Sequence, residues 1–254
     1  MFFDTHAHYD DAAFDPDRDA LLSELPARGV SLVVNPGCDV KSSEAALELS
    51  ARRPWLYAAV GIHPEELAGM GEGDLRRIEA LAASERCVAV GEIGLDYYWD
   101  QSRREEQKAL FIAQLELALR LDLPVIIHDR EAHGDCFDIV SRYPNLRGVF
   151  HCYSGSADMA AELLKRGWYL GFDGPITYKN ARKAIEVLEL CPTDRILIET
   201  DSPYLSPVPR RGKRNDSGNL VYIAEKIAEV KGCTVEELAR ATLENGRRLF
   251  AIDQ

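Results

Sequence analysis

Eight short apolar runs, separated by helical patterns, constrain this chain more than any other feature. They are "MFFDTH" (1–6), "VSLVVN" (30–35), "LYAAVGI" (56–62), "CVAVGEIGL" (87–95), "LPVIIH" (123–128), "RGVFH" (147–151), "WYLGFDG" (168–174) and "RILIET" (195–200). None alternates strictly between apolar and polar, which is how strands buried on both faces read. Between them, Phe111, Leu115, Ala118 and Leu119 share one predicted helical face, and Ile223, Ala224, Ile227 and Val230 share another. Thr234 and Glu237 form a capping box that opens a last helix carrying Leu238 and Ala241. Eight βα units predict a (β/α)8 TIM barrel. A doubly wound open sheet is the competitor, but it would usually place a Gly-rich phosphate loop after its first strand, and none is there.

A chain of 254 residues, 46% hydrophobic, suits a single barrel core, so one domain over 1–254 is expected. The net charge of −12 opposes non-specific attachment to nucleic acid, though not a local basic patch. Asp4, His6, His8, Asp10 and Asp11 leave no apolar signal-peptide region in residues 1–12. No apolar stretch approaches the roughly 20 residues of a membrane helix. The six cysteines are scattered without a C-x-x-C pair and are expected as reduced core thiols. A cytoplasmic enzyme is the expected setting.

Five of the six histidines fall at or just past the end of a predicted strand: His6, His8, His63, His128 and His151. Glu92 and Asp201 do the same, and only His133 lies elsewhere among the histidines. Barrel active sites are built at that end, from several strands at once. In an extended chain, residues i and i+2 point to one side, so His6 and His8 can face a common ion with Ala7 turned away. The plainer alternatives are a salt bridge for Glu92, hydrogen-bonded core positions for His128 and His151, and a helix cap for Asp201. Four imidazoles and two carboxylates exceed one zinc site and suit two ions sharing a bridging carboxylate. Such a pair clamps a phosphoryl or acyl group and activates water.

These residues stand in stretches that resemble the TatD family of metal-dependent deoxyribonucleases, within the wider group of amidohydrolase-like barrels. The stretches are "DTHAH" (4–8), "GIHP" (61–64), "VGEIGLDYYW" (90–99), "LPVIIHDREA" (123–132), "FHCYSGS" (150–156), "GPITYKNA" (174–181), "IETDSPYLSP" (198–207) and "NGRRLF" (245–250). The resemblance implies a TIM barrel holding two or three divalent ions on His6, His8, Glu92, His128, His151 and Asp201, with Glu92 bridging. Glu92 and Asp201 would take part in catalysis. His63 would lie close by and help to hold a substrate phosphate, and Arg130 would either support the ligands or contact phosphate. The implied activity is phosphodiester hydrolysis, commonly 3′→5′ exonuclease action on single-stranded DNA, sometimes RNA. Two departures stand out: Asp129 where the family often has Ser, and Asp216-Ser217 where it usually has Glu-Pro.

The residues themselves give partial support for a nucleic-acid substrate. Arg210, Arg211, Lys213 and Arg214 form a basic run after the eighth strand, suited to backbone phosphates. Tyr97, Tyr98 and Trp99 follow Glu92 and could stack unpaired bases. The first rival is an amidohydrolase cleaving a C–N or aminoacyl ester bond. Many such sites bridge their metals with a carbamylated lysine on the fourth strand, and that run contains no lysine. The second rival, a barrel retained only for binding, would be expected to have lost a ligand. Zinc, manganese and magnesium are not distinguished by this donor set.

Overall fold

Each of the eight runs forms a strand in the structure, a computed structural model describing residues 1–252. The last two positions of the expected 1–254 domain lie outside the described residues. The strands are β1 (Phe2–Asp4), β2 (Val30–Pro36), β3 (Leu56–Val60), β4 (Cys87–Asp96), β5 (Val125–Arg130), β6 (Gly148–Phe150), β7 (Tyr169–Phe172) and β8 (Ile196–Ile198). They lie in sequence order in one sheet, each parallel to the next. The last strand returns to the first through Thr5 N–H on Ile198 O at 3.2 Å and His8 N–H on Ser202 O at 2.7 Å. The result is a (β/α)8 barrel.

The helices are α1 (Arg18–Glu24), α2 (Val40–Ala51), α3 (Asp74–Ala82), α4 (Arg104–Leu121), α5 (His133–Val140), α6 (Ala157–Lys165), α7 (Arg182–Leu190), α8 (Leu220–Lys231) and α9 (Val235–Phe250). None among the described residues is long and apolar enough to cross a membrane. The predicted Thr234–Glu237 capping box is present at α9, with Thr234 accepting from the Glu237 backbone and the Glu237 side chain from the Thr234 backbone.

Alternation along the strands fills two shells. Ile126, Val149, Tyr169 and Leu197 pack inside the barrel with Phe3, and Leu249 and Phe250 of α9 join that interior cluster. Their neighbours Val125, Ile127, Phe150, Leu170, Ile196 and Ile198 face the helices instead. Both shells are apolar, so the runs read as unbroken. The inward phase, continued two residues further, reaches His128, His151 and Glu199.

Helix α4 corrects one expectation. Phe111, Leu115 and Ala118 are buried as predicted, but Leu119 is 37% exposed. The buried face also includes Gln107 and Gln114, which shifts its centre away from Leu119. Both glutamines serve backbone at strand ends: Gln114 accepts from Ile62 N–H at 2.7 Å, and Gln107 accepts from Asp96 N–H at 2.9 Å. The cysteine expectation holds for Cys87, Cys136 and Cys191, whereas Cys38, Cys152 and Cys233 are only partly buried; all six are free thiols. Leu115→Ala should destabilise by about 2–5 kcal/mol through the cavity it leaves. Leu119→Ala should stay within about 0.5 kcal/mol of wild type. Urea unfolding of the two variants checks the assignment, and equal losses would contradict it.

Candidate metal centre

Glu92 lies inside β4, where a carboxylate without partners would be costly. Its two oxygens divide their surroundings. Oε2 faces Nε2 of His6 at 3.2 Å and Nε2 of His8 at 3.6 Å. Oε1 faces Nδ1 of His128 at 2.9 Å and Nε2 of His151 at 3.5 Å. Burial pushes the Glu92 carboxyl up, but the imidazoles of His6, His151 and His63, with the hydrogen bond from His128, hold it well below the usual carboxylate range.

The H-x-H pair behaves as the extended-chain rule requires. His6 and His8 bring their Nε2 atoms to 3.0 Å of each other, while Ala7 is buried among Tyr9 and Phe14. Asp201 places Oδ1 3.7 Å from the first and 3.4 Å from the second. It sits in a left-handed turn at φ +54°, a region where Asp is better tolerated than most residues, rather than at a helix start.

The far nitrogens of three imidazoles are anchored, and the anchors set which atom faces the centre. His8 Nδ1 lies 3.2 Å from Pro36 O, so Nδ1 carries the hydrogen and Nε2 the lone pair. His151 Nδ1 is held by Glu199 Oε1 at 3.0 Å, freeing Nε2. His128 is reversed: Asp96 Oδ2 holds Nε2 at 3.0 Å, and Nδ1 faces inward. Carboxylate and carbonyl partners of this kind orient metal-binding histidines. Four sets of donors bring their ligand atoms within 4.8 Å of one another, close enough for an ion: His6, His8 and Glu92; Glu92, His128 and His151; His6, His151 and Glu199; and His63, Glu65 and His128; Asp201 borders the first set without belonging to any.

Sequence reasoning missed Glu199 and Asp96. Glu199 is fully buried, accepts from Cys152 N–H at 2.6 Å, and fills the space that a Cβ on Gly171 would occupy. The signal was available for Glu199, because it continues the inward phase of Leu197. Asp96 gave no such signal; its carboxylate reaches His128 only through the pairing of β4 with β5.

His63 joins the centre on different terms. Glu65 N–H donates to its Nδ1 at 3.2 Å, so Nε2 carries the hydrogen, 3.7 Å from Glu92 Oε1. Burial and the neighbouring His128 push its pKa down to about 3. It is a neutral donor aimed at the centre.

The outer residues are less uniform than expected. Arg130 is exposed at the end of β5, its guanidinium 4.0 Å from the Tyr98 ring and 5.3 Å from that of Trp99. Tyr98 and Trp99 are exposed, but Tyr97 is not a stacking surface: it is buried, and its hydroxyl donates to Asp135 at 2.7 Å. The basic run also divides. Arg210 is exposed, its backbone N–H bonded to Pro207 O at 2.6 Å. Arg211 lies over the Tyr178 ring at 4.4 Å. Arg214 is committed to Asp17, Nη1 and Nη2 meeting its two oxygens at 2.8 and 2.6 Å.

A (β/α)8 barrel with four imidazoles and two carboxylates at its C-terminal mouth defines a class, the metal-dependent barrel hydrolases. The family model described as TatD related DNase matches residues 3–251, and the chain belongs to that family. It is a TatD-family metal-dependent hydrolase. A Bacillus subtilis protein named as the uncharacterized metal-dependent hydrolase YabD is 44% identical over 255 residues, covering 100% of both chains. A Cronobacter sakazakii relative named 3′-5′ ssDNA/RNA exonuclease TatD is 34% identical, covering 98% of this chain and 97% of its own. The crystal structure of YjjV, a TatD homologue from Escherichia coli, superposes with a TM-score of 0.93 at 32% identity over 99% of this chain and 98% of that one.

Glu199→Gln keeps the size of the side chain but weakens its hold on the His151 Nδ1 hydrogen. Ion affinity, read by competition with a chromogenic chelator, should fall about 10–100-fold, as for other partners of ligating histidines. An unchanged affinity would leave Glu199 a packing residue.

Proposed function

We propose that this chain is a nuclease that shortens single-stranded DNA or RNA from the 3′ end, hydrolysing phosphodiester bonds with ion-activated water. His6, His8, Glu92, His128, His151 and Asp201 would hold divalent ions, with Glu92 shared between them. The observation that carries this reading is the division of Glu92: one oxygen faces the imidazoles of His6 and His8, the other those of His128 and His151. Bound at these residues, divalent ions would supply polarisation of a phosphoryl oxygen and a water of lowered pKa.

The chain's own groups supply the rest. His63 donates its Nε2 hydrogen to a non-bridging phosphate oxygen. Asp201, whose Oδ1 borders His6 and His8, orients the attacking water and accepts its proton. Tyr98 and Trp99 offer exposed faces for unpaired bases, with the Arg130 guanidinium stacked beside them for a phosphate. Arg210 and Arg211 add phosphate contacts on the β8 side. The name of the Cronobacter relative supports the substrate and the polarity. No lysine occurs within β4, which favours the carboxylate-bridged phosphodiesterase over a carbamate-bridged amidohydrolase.

The direct test strips the protein of metal and reloads it with zinc, manganese or magnesium. Each form is then assayed on 5′-labelled single-stranded DNA and RNA. Successive shortening from the 3′ end is expected, and excess chelator should stop it. Full activity in verified metal-free protein would overturn the reading. Asp201→Asn should lower turnover by at least ~10²-fold while leaving the protein folded and able to bind DNA.

Reversing Arg210 and Arg211 to Glu should weaken binding to single-stranded DNA. It should also flatten the log–log salt dependence by about 0.7 for each phosphate that is no longer neutralised. Arg214→Ala should leave that slope unchanged, because the guanidinium is committed to Asp17. Salt titrations of binding by fluorescence anisotropy separate the two.

A further inference from the structure

Tyr204 stands three residues past Asp201 and is 54% exposed, yet it is fixed at both ends. Its backbone N–H donates to Asp201 O at 2.8 Å, and its carbonyl receives Asn215 Nδ2 at 2.8 Å. Asn215 is fully buried, and its Nδ2 also donates to Thr200 O at 2.8 Å. The Tyr204 hydroxyl donates to Asp11 Oδ2 at 2.7 Å. The side chain therefore reaches from the loop after β8 to the loop after β1, the two segments that supply Asp201 and His8. The charges of both these groups act on its hydroxyl. A ring held in this way loses little freedom when a flat partner lies on it.

A second aromatic surface lies across the barrel. Tyr98 and Trp99, both exposed, follow β4, which stands four strands from β8 in the ring. Charge distinguishes the two sides. Beside Tyr98 and Trp99 lies the Arg130 guanidinium. Beside Tyr204 the loop after β1 carries Asp10, Asp11, Asp15 and Asp17. The arginines there are committed, Arg18 to the Tyr9 and Asp11 carbonyls and to Asp15, and Arg214 to Asp17. Backbone phosphate is attracted to the first side and repelled from the second. The part of a nucleotide that suits Tyr204 is its uncharged base, and a strand carrying further phosphates does not run on past it.

The proposed attack gives the same direction. With water held by Asp201, the new bond to phosphorus forms on the β8 side as the P–O3′ bond breaks in line on the opposite side. The water proton passes to Asp201, and O3′ keeps the bonding electron pair and is protonated from solvent. The upstream strand thus departs toward Tyr98 and Trp99. We propose that Tyr204 stacks on the base of the 3′-terminal nucleotide, across the centre from upstream bases on Tyr98 and Trp99. The proposal rests on the nuclease reading above and adds to it a position that recognises an unpaired terminal base.

The test compares two 5′-labelled single-stranded oligodeoxynucleotides of the same sequence, one intact and one whose 3′-terminal residue is an abasic tetrahydrofuran. The ion-loaded wild type should favour the intact end by about fivefold or more in kcat/KM, the effect of stacking one base. Tyr204→Ala should bring that ratio close to one by slowing only the intact substrate, and Tyr204→Phe, which keeps the ring, should retain most of it. Trp99→Ala should slow both substrates and leave the ratio as in wild type. Tyr204→Leu repeats the comparison if thermal unfolding shows the alanine variant to be unfolded. A purely structural role would slow both substrates together. Indifference of the wild type to the terminal base, a ratio retained in Tyr204→Ala, or a ratio lost in Trp99→Ala instead, overturns the proposal while leaving the nuclease standing. No cleavage of either oligonucleotide by the ion-loaded wild type overturns the nuclease reading and this one with it.

Discussion

The seam between the first and last strands decides whether this molecule has a centre at all. Neighbouring strands elsewhere are joined through short crossovers, but here residues almost 200 positions apart must meet. The Asp4 carboxylate receives Thr200 N–H at 3.0 Å and the Thr200 hydroxyl at 2.6 Å. Asp201 N–H then donates to His6 O at 2.9 Å. Those bonds bring Asp201 against His6 and His8. A contact of such sequence separation carries a large loop-closure entropy cost. The two imidazoles just past β1 and the carboxylate beyond β8 therefore converge only in the closed barrel. Any ion that binds there stabilises closure by the same linkage.

Closure concentrates charge that a purely structural core would avoid. Glu92, Asp173, Glu199 and Asp201 gather at one mouth, three of them almost completely buried. Imidazoles compensate most of this charge: Glu92 is surrounded by five of them, and Glu199 is bound to His151 and to the Cys152 backbone. The compensation is incomplete, since His6 Nδ1 stays unpaired. The apolar layers beneath, closed by Phe250 against Phe3 at 6.0 Å between ring centroids, carry no such conflict.

The sequence made the fold legible because strands buried on both faces show as unbroken β-branched runs. It pointed to His6, His8, Glu92, His128, His151 and Asp201 because they stand in or just past the apolar runs, and the structure gathers them at one mouth, although Glu92 lies inside β4 rather than at its end. Other features depended on information that one-dimensional spacing does not contain. Asp96 lies on β4 yet serves a histidine on β5, which only strand pairing reveals. Tyr97, Tyr98 and Trp99 read alike as a run of aromatics, but the first turns inward to Asp135 and the others outward. Leu119 read as core because apolar spacing alone cannot register the buried face completed by Gln107 and Gln114. Arg214 read as a free cation because its partner, Asp17, lies 197 residues earlier.

The departures from the family pattern fall on the framework rather than on the centre. Asp129 follows His128 and therefore points away from the mouth, where its Oδ2 meets His133 Nδ1 at 2.9 Å. Asp216 pairs with Arg28 at 2.7 Å, and Ser217 meets the Tyr9 hydroxyl at 2.7 Å, fixing the end of the basic loop to the start of the chain. The imidazoles and carboxylates of the mouth come from strands or the residues just past them, whose positions the barrel fixes to within its hydrogen-bond register. Rim groups such as Trp99, Tyr204 and Val208 come from loops, are exposed, and can change without disturbing that register. Chemistry and substrate choice are thus carried by different parts of the same molecule. Family membership extends to the histidines and carboxylates at the barrel mouth, while the loops around them differ and must be read from each chain's own residues.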